Sequence, residues 1–349
     1  MTDPRAPAGS RFCLLPDMAL DCGAVLPAPV LAYESWGRLA PSGDNAILVT
    51  HGFTSSAHAA GEAGDGWWDG LIGPGRAIDT DRHFVVASNM LGSCWGSTGP
   101  TSLDPRTGRP YGPDFPLVST RDMVRAQRAL LDSLGVTRLV AVAGPSFGGI
   151  LAFQWAVEFP DFMAGIIPVV GAPRTPPSAL EQVGSSVLRF WSDPNWHGGR
   201  YAEHGGLEAT MVSLWAETLR LYGLKEVLEA RIPDPAAREP ALLAAAEMGR
   251  HFDANAFIRL GLAASHFDVE PLFPRIRAKV LYSLCPSDRV FPATLAPEVM
   301  GRLAAAGVDA RYFELESDFG HLAFREDASK LAAPVSEFLL GLAAGAKAP

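Results

Sequence analysis

One serine in this chain lies in a context that favours nucleophilic chemistry. The surrounding stretch is Gly144-Pro145-Ser146-Phe147-Gly148-Gly149. An apolar run, residues 139–143, precedes it, and a helix-like segment, residues 150–156, follows it. A strand, a G-x-S-x-G turn and a helix form a nucleophile elbow, because the glycines allow a turn that a Cβ would block. We therefore predict that Ser146 is a nucleophile at the edge of a sheet; the alternative is a glycine-rich turn that merely contains a serine.

A carboxylate and a histidine should follow such a serine, in that order. The apolar segment 279–284 predicts a buried strand, and Asp288 comes just after it, where parallel sheets place their active sites. A helical stretch, another predicted strand and then His321 follow. This order predicts a triad of Ser146, Asp288 and His321. Asp318 is the alternative acid, but it lies too close in sequence to His321 to come from the preceding strand end.

An acyl-serine mechanism also needs hydrogen-bond donors for the oxyanion. The amide of Phe147, directly after Ser146, is the first predicted donor. The second should come from the loop after the apolar segment 47–50, which begins with a His-Gly turn. We predict the Phe53 amide as that donor, and we expect His51 to orient the loop rather than to act as a base.

The elements that must position these residues alternate along the chain, which favours a mostly parallel sheet with helical crossovers. An extended pair is expected within 11–35, and the remaining strand candidates are 46–51, 84–88, 139–143, 166–170, 279–284 and 310–315. Before the strand that leads to Ser146, Thr120 is predicted to cap a helix and Gly135 to end it.

The alternation stops over residues 174–265, where helical periodicity predicts segments 178–191, 206–222 and 238–250. We predict an α/β class protein with the α/β-hydrolase fold, in which a helical lid covers the site. The predicted boundaries are 1–173 and 266–349 for the two parts of the core and 174–265 for the lid. The alternative is a helical subdomain that only stabilises a dimer.

Composition excludes several classes of partner. The chain has 349 residues with a net charge of −9 and no cluster of Lys and Arg, so we expect no nucleic-acid partner. No apolar run suits a membrane span and the first residues lack a secretion signal, which predicts a cytoplasmic protein without a membrane partner. The four cysteines show no C-x-x-C pair and are expected to be reduced thiols. No metal-ligand spacing appears, so no metal is predicted.

Further motifs extend over about residues 25–330. They are Trp67-Trp68-Asp69-Gly70-Leu71-Ile72-Gly73-Pro74-Gly75, Gly96-Ser97-Thr98-Gly99-Pro100, Tyr111-Gly112-Pro113-Asp114-Phe115-Pro116, Asp122-Met123-Val124, Asp193-Pro194-Asn195-Trp196 with Gly198-Gly199, and Phe252-Asp253-Ala254-Asn255. Together they resemble the homoserine O-acetyltransferase family. The resemblance implies an α/β-hydrolase core, a homodimer and a covalent acyl-serine, with nucleophile, acid and base at Ser146, Asp288 and His321.

The resemblance fails at the site for the amino-acid acceptor. That family usually has an arginine that holds the homoserine carboxylate, a tyrosine one to two turns later and an aspartate after the catalytic histidine. Here these positions hold Met211, Thr218 and Leu322. Burial would leave the charges of a zwitterion unpaired, at a cost of several kcal/mol. We therefore predict an apolar substrate pocket at these three residues; the alternative is that other residues have taken over the lost functions.

If no amino acid accepts the acyl group from the serine, water or a small alcohol must accept it. We therefore expect the esterase branch of that family: a serine carboxylesterase that hydrolyses short-chain, acetyl-type esters and needs no cofactor. The first alternative is a CoA-dependent O-acyltransferase acting on a hydroxylated small molecule, and the second is a non-catalytic binding protein. We also expect a homodimer contact through the lid, because segment 206–222 carries a run of apolar residues at helical spacing: Leu207, Met211, Leu214, Trp215, Leu219 and Tyr222.

Overall fold

A computed structural model, which describes residues 6–345, shows an eight-stranded central sheet. The strands of the chain are β1 (Arg11–Leu14), β2 (Met18–Ala19), β3 (Val25–Leu26), β4 (Val30–Trp36), β5 (Ala46–Thr50), β6 (Ile72–Gly73), β7 (Ile78–Asp79), β8 (Phe84–Ser88), β9 (Leu139–Pro145), β10 (Met163–Val169), β11 (Lys279–Leu284) and β12 (Ala310–Glu314). The sheet order is β1-β4-β8-β5-β9-β10-β11-β12. Among the strand pairs of this sheet, β1–β4 and β4–β8 are antiparallel and the other five are parallel. The predicted mostly parallel sheet is confirmed.

Helices lie on both faces of this sheet. They are α1 (Thr120–Ser133), α2 (Phe147–Glu158), α3 (Pro177–Ser192), α4 (Glu208–Tyr222), α5 (Leu224–Arg231), α6 (Pro235–Ala246), α7 (Ala254–Ser265), α8 (Ala296–Ala305), α9 (Ala323–Glu326) and α10 (Ala328–Gly345). Along β5, Leu48 packs in the core formed with α1 and α2, whereas Ile47 and Val49 pack in the core formed with α10. Alternate residues of a strand point to opposite faces, so both faces are buried and the strands are apolar throughout.

Helices α3 to α7 occupy the predicted lid segment. Two of them, α5 and α7, are absent from the predicted helices, while the segment 238–250 divides into α6 and a short 3₁₀ turn, Glu247–His251. Asp253 caps α7 by accepting a hydrogen bond from the Ala256 amide at 2.8 Å. The division into core and lid at residues 173 and 265 stays a prediction, and its outer ends, residues 1 and 349, lie outside the described residues.

The helix before the Ser146 strand begins one residue earlier than predicted. Ser119, not Thr120, is the cap: its Oγ accepts from the Asp122 amide at 3.0 Å, and the Asp122 carboxylate accepts from the Ser119 amide at 2.9 Å. This is a capping box, which satisfies two amides of the first turn reciprocally. Thr120 instead donates its hydroxyl to Gln154 at 2.9 Å. Gly135 ends the helix with φ +81°, as predicted.

Three further features bear on membrane insertion, metal binding and disulfide bonding. Within residues 6–345, no helix combines the length and the apolar character that a bilayer crossing needs. Over the same span, no three His, Cys, Asp or Glu side chains are grouped as a metal site would require. All four cysteines lie in the described part of the chain, and no disulfide joins them.

Candidate active site

The structure brings Ser146, Asp288 and His321 together. Nε2 of His321 lies 2.8 Å from Oγ of Ser146, and its Nδ1 lies 2.8 Å from Oδ2 of Asp288. An ionised carboxylate only accepts hydrogen bonds, so Nδ1 carries the proton and Nε2 is free to accept the serine proton. The histidine and aspartate side chains are 2% and 0% exposed. This arrangement can deprotonate a serine and hold the resulting imidazolium.

Ser146 lies on the turn between β9 and α2. Its backbone has φ +57° and ψ −122°, which is unusual for a residue with a side chain. The turn is close to β5, because a Cβ at Gly144 or at Gly148 would come within 2.3 Å of the Thr50 carbonyl oxygen. Only glycine fits at these two positions, so the G-x-S-x-G pattern follows from packing as well as from the turn. The predicted nucleophile elbow is present.

Asp288 is held by its own loop, which follows β11. Its Oδ1 accepts hydrogen bonds from the amides of Val290 at 2.7 Å and Phe291 at 3.2 Å. These contacts leave Oδ2 directed at His321. The alternative acid, Asp318, is exposed. Asp288 therefore occupies the place of the acid in the triad.

A serine next to the acid ties the two loops of the triad together. Ser287 donates its hydroxyl to the carbonyl of Ser317 at 2.6 Å and accepts from the Gly320 amide at 3.0 Å. These bonds connect the loop that carries Asp288 to the loop that carries His321. The relative position of acid and base is therefore set by hydrogen bonds outside the triad itself.

The two phenylalanines whose amides are the predicted oxyanion donors lie near the serine. Phe147 is the first residue of α2, so its amide has no acceptor within the helix. Gly52 lies against the elbow, since a Cβ there would be 3.8 Å from the Ser146 Cβ. The ring of Phe53 packs edge-on against Phe147 with centroids 5.7 Å apart. Both phenylalanines line the same cavity as Ser146.

His51 orients this loop. Burial lowers the pKa of His51 to about 4, so the ring is neutral at physiological pH. Its Nε2 accepts from the Met90 amide at 3.1 Å, and its Nδ1 donates to the Gly52 carbonyl at 2.8 Å. The ring is thus fully hydrogen-bonded to the backbone, in agreement with the predicted positioning role.

A cavity of about 60 Å³ opens beside Ser146, between the core and the lid. Among the described residues, every side chain that lines it is uncharged. Its apolar wall includes Phe53, Phe147, Ile150, Trp215, Phe257, Val290 and Phe291. Its hydroxyl and amide side chains, apart from Ser146, are Thr54, Thr175, Gln182, Thr218 and Tyr222. The cavity therefore suits a small neutral ligand.

The structure places the three predicted pocket residues in different environments. Thr218 lines the cavity beside Ser146. Met211 does not: it is 1% exposed and borders a separate cavity of about 500 Å³ between α4 and the segment 250–254. The two residues lie about two helical turns apart on α4 and line different cavities. Leu322 is half-buried in the turn that carries His321 and is not part of the cavity wall.

Some residues that line the cavity beside Ser146 were not predicted from the sequence. They come from the lid and from the loop that carries Asp288. Gln182 on α3 lines the cavity, and Phe291 stacks on His321 with centroids 5.8 Å apart. Tyr222, expected at a dimer contact, instead packs against His321. Its position four residues after Thr218 was the available signal, because residues four apart share one face of a helix.

Comparison with known proteins agrees with this geometry. A family model described as alpha/beta hydrolase fold matches residues 45–328. Homoserine O-acetyltransferase of Symbiobacterium thermophilum is 40% identical over 94% of this chain and 93% of its own length. Among solved structures, homoserine O-acetyltransferase from Bacillus anthracis has a TM-score of 0.87 at 29% identity, covering 95% of this chain and 97% of that one. Esterase E22 has a TM-score of 0.86 at 28% identity, covering 95% and 99%.

The family is shown both by the match of the fold model and by sequence identity along nearly the whole chain. The motifs that first suggested it lie in the core and in the lid alike. This chain is an enzyme of the α/β-hydrolase superfamily and, within it, a member of the homoserine O-acetyltransferase family.

Proposed function

We propose that the protein is a serine carboxylesterase that hydrolyses short-chain, acetyl-type esters through an acyl-enzyme on Ser146. The observation that carries the proposal is the uncharged wall of the cavity beside Ser146. An acyl-enzyme gives its acyl group to whichever nucleophile the cavity admits. A carboxylate or ammonium that is buried without a counter-charge costs several kcal/mol, whereas water needs no charged partner.

The size of the cavity supports a small acyl group. A cavity of about 150 Å³ can hold a benzene ring. The cavity beside Ser146 measures about 60 Å³, so it suits a small ester rather than one with a long acyl chain. We therefore expect turnover to fall steeply as the acyl chain grows.

In the proposed reaction, His321 accepts the Ser146 proton at Nε2 while Oγ attacks the ester carbonyl carbon. The amides of Phe53 and Phe147 donate to the oxyanion that develops. Asp288 keeps the proton on Nδ1 and stabilises the imidazolium. The imidazolium then protonates the leaving alcohol, which leaves the acyl group on Ser146. Water, deprotonated by His321, releases the acid in the second half of the reaction.

A second candidate is a CoA-dependent O-acyltransferase that acts on a hydroxylated small molecule. The relatives favour transfer when taken alone, since the protein from Symbiobacterium thermophilum bears the name homoserine O-acetyltransferase at 40% identity. Both candidates share the first half of the reaction, in which Ser146 is acylated. They differ in the group that accepts the acyl from the serine, and the uncharged wall argues against an amino acid in that role.

The test compares two reactions on one preparation. The protein is incubated with p-nitrophenyl acetate, and separately with acetyl-CoA and homoserine, and both products are followed. We expect hydrolysis of the ester, and we expect Ser146→Ala to lower it by about 10³-fold or more. Ser329→Ala, at an exposed position on α10, is the control and should match the unmodified protein. Near-full turnover by Ser146→Ala would show that Ser146 is not the nucleophile, and no turnover by the unmodified protein would favour a binding protein.

A further inference from the structure

The lid side of the cavity carries hydrogen-bonding side chains that the proposed chemistry does not use. Gln182 comes from α3, and Thr218 and Tyr222 come from α4, one helical turn apart on the same face. Among the described residues, none of these three side chains has a hydrogen-bond partner in the protein. Thr175, on the same wall, differs because it donates its hydroxyl to the Ala264 carbonyl at 2.7 Å.

These three groups are neutral and can each donate and accept. Burial, with a smaller contribution from Asp288, raises the pKa of Tyr222 well above its usual value, so the phenol keeps its proton. Gln182 offers two donors and a carbonyl acceptor, and Thr218 offers a hydroxyl. A polar group buried without a partner costs about 1–3 kcal/mol. A ligand that displaces water from the cavity must therefore supply hydrogen bonds here to bind well.

The position of Gln182, Thr218 and Tyr222 indicates which part of an ester substrate they face. The Tyr222 ring lies 4.6 Å from the His321 ring, measured between centroids. In an ester hydrolase the imidazolium protonates the leaving alcohol, so the alcohol portion lies next to the histidine. The side chains that flank His321 from the lid therefore face the alcohol portion rather than the acyl group.

We propose that Gln182, Thr218 and Tyr222 form a subsite for an uncharged alcohol portion that carries at least one hydroxyl or carbonyl group besides the ester oxygen. The inference rests on the proposed function and names its substrate class: short-chain monoesters of small diols or polyols. A simple alkyl alcohol leaves the three groups unpaired, and a carboxylate or ammonium finds no opposite charge on the described wall.

Three acetates with the same acyl group test this class: monoacetylglycerol, propyl acetate and acetylcholine. Monoacetylglycerol and propyl acetate share a three-carbon alcohol and differ in two hydroxyls. One or two neutral hydrogen bonds are worth about 0.5–1.5 kcal/mol each, so kcat/KM should favour monoacetylglycerol by roughly tenfold. Acetylcholine should be the poorest of the three. Equal or faster turnover of propyl acetate would overturn the proposal.

Variants then test whether the preference for monoacetylglycerol depends on Thr218 and Tyr222. In Tyr222→Phe combined with Thr218→Val, the ratio of kcat/KM for monoacetylglycerol to that for propyl acetate should fall to about one. A general disturbance of His321 cancels in this ratio, because both esters use the same base. Tyr312→Phe removes a tyrosine hydroxyl on β12, outside the cavity wall, and should keep the original ratio. An unchanged ratio in the double variant would contradict the subsite.

A binding measurement separates this inference from the proposed function. Ser146→Ala removes the nucleophile but keeps the lid, so calorimetry with monoacetylglycerol and propyl acetate reports the subsite without turnover. Preferential binding of monoacetylglycerol to Ser146→Ala, together with no hydrolysis by the unmodified protein, would refute the esterase and support the subsite. Hydrolysis of p-nitrophenyl acetate with no preference in either assay would support the esterase and refute the subsite.

Discussion

Tyr222, the last residue of the lid helix α4, packs against His321 of the core with ring centroids 4.6 Å apart. Phe291 stacks on the same imidazole at an interplanar angle of 25°. The next lid residue, Gly223, has φ +100° and lies against the backbone of Phe319 in the loop that carries the histidine. The end of α4 is therefore a fixed part of the wall that holds the imidazole in place.

This contact predicts that Gly223→Ala lowers activity through the histidine loop. A Cβ at residue 223 would lie 2.5 Å from the Phe319 carbonyl oxygen, so either the lid or the loop must move. Displacements of about 1 Å in a catalytic group can cost roughly 10²-fold in rate. We expect kcat for p-nitrophenyl acetate to fall by about 10- to 100-fold.

Gly307→Ala is the matched control for this prediction. Gly307 also has positive φ, at +75°, but a Cβ there meets nothing within 4 Å. Both variants therefore bear a similar backbone strain of about 1–2 kcal/mol, and only one of them disturbs the loop. Equal losses of kcat in the two variants would show that the contact with Phe319 does not matter.

A second prediction concerns the loop between β5 and β6. His58 lies 3.0 Å from Glu34 through Nδ1 and 3.1 Å from Asp65 through Nε2. Burial alone would lower the pKa of His58, but the two carboxylates outweigh it and raise the pKa above its usual 6.5. A folded-state pKa above the unfolded value stabilises the protein below the unfolded pKa, and the contribution is lost as the pH rises through the folded pKa.

His58→Gln should therefore cost more stability at about pH 6 than at about pH 9. The measurement is the difference in free energy of unfolding between the two proteins, obtained by urea titration at each pH. High salt should weaken the effect, because His58 and Asp65 are partly exposed. A difference that stays constant or grows with pH would contradict the assigned role of His58.

The homodimer stays a prediction, and the structure changes the residues that would form it. Three of the apolar residues in segment 206–222 that suggested it, Leu207, Met211 and Leu214, are buried within the chain. Large apolar side chains of the lid are exposed elsewhere, with Leu188 and Trp191 of α3 both at 60%. Light scattering at micromolar concentration should give twice the chain mass of 37.1 kDa, and Trp191→Lys should shift the mass toward the monomer. A monomeric mass for the unmodified protein would refute the dimer.

The core and the triad could be predicted from the sequence because each has a local signature. Buried parallel strands are continuous apolar runs, and the elbow needs glycines at fixed spacing around Ser146. Asp288 and His321 each follow a strand, so their meeting at one sheet edge follows from the predicted order of strands.

The lid was predicted less well, because its contacts are set by tertiary packing. Periodicity marks a helical face as apolar, but it does not say whether that face covers the core, the cavity or another subunit. For this reason Tyr222 was predicted at a dimer contact, whereas the structure places it on His321. Met211 was predicted in the pocket from its position in the family's motif, whereas the structure buries it beside a separate cavity. Gln182 gave no signal, because a single polar residue on a helix is usually solvated.

The most direct measurement compares kcat/KM for a small acetate ester with kcat/KM for homoserine at saturating acetyl-CoA. The carboxylate and ammonium of homoserine find no opposite charge on the described wall of the cavity. Each missing charged hydrogen bond is worth about 1.5–3 kcal/mol, so two predict a deficit of roughly 10²–10⁴. Ester hydrolysis should exceed homoserine acetylation by that margin. Formation of O-acetylhomoserine as efficient as ester hydrolysis would contradict the esterase proposal and favour the acyltransferase.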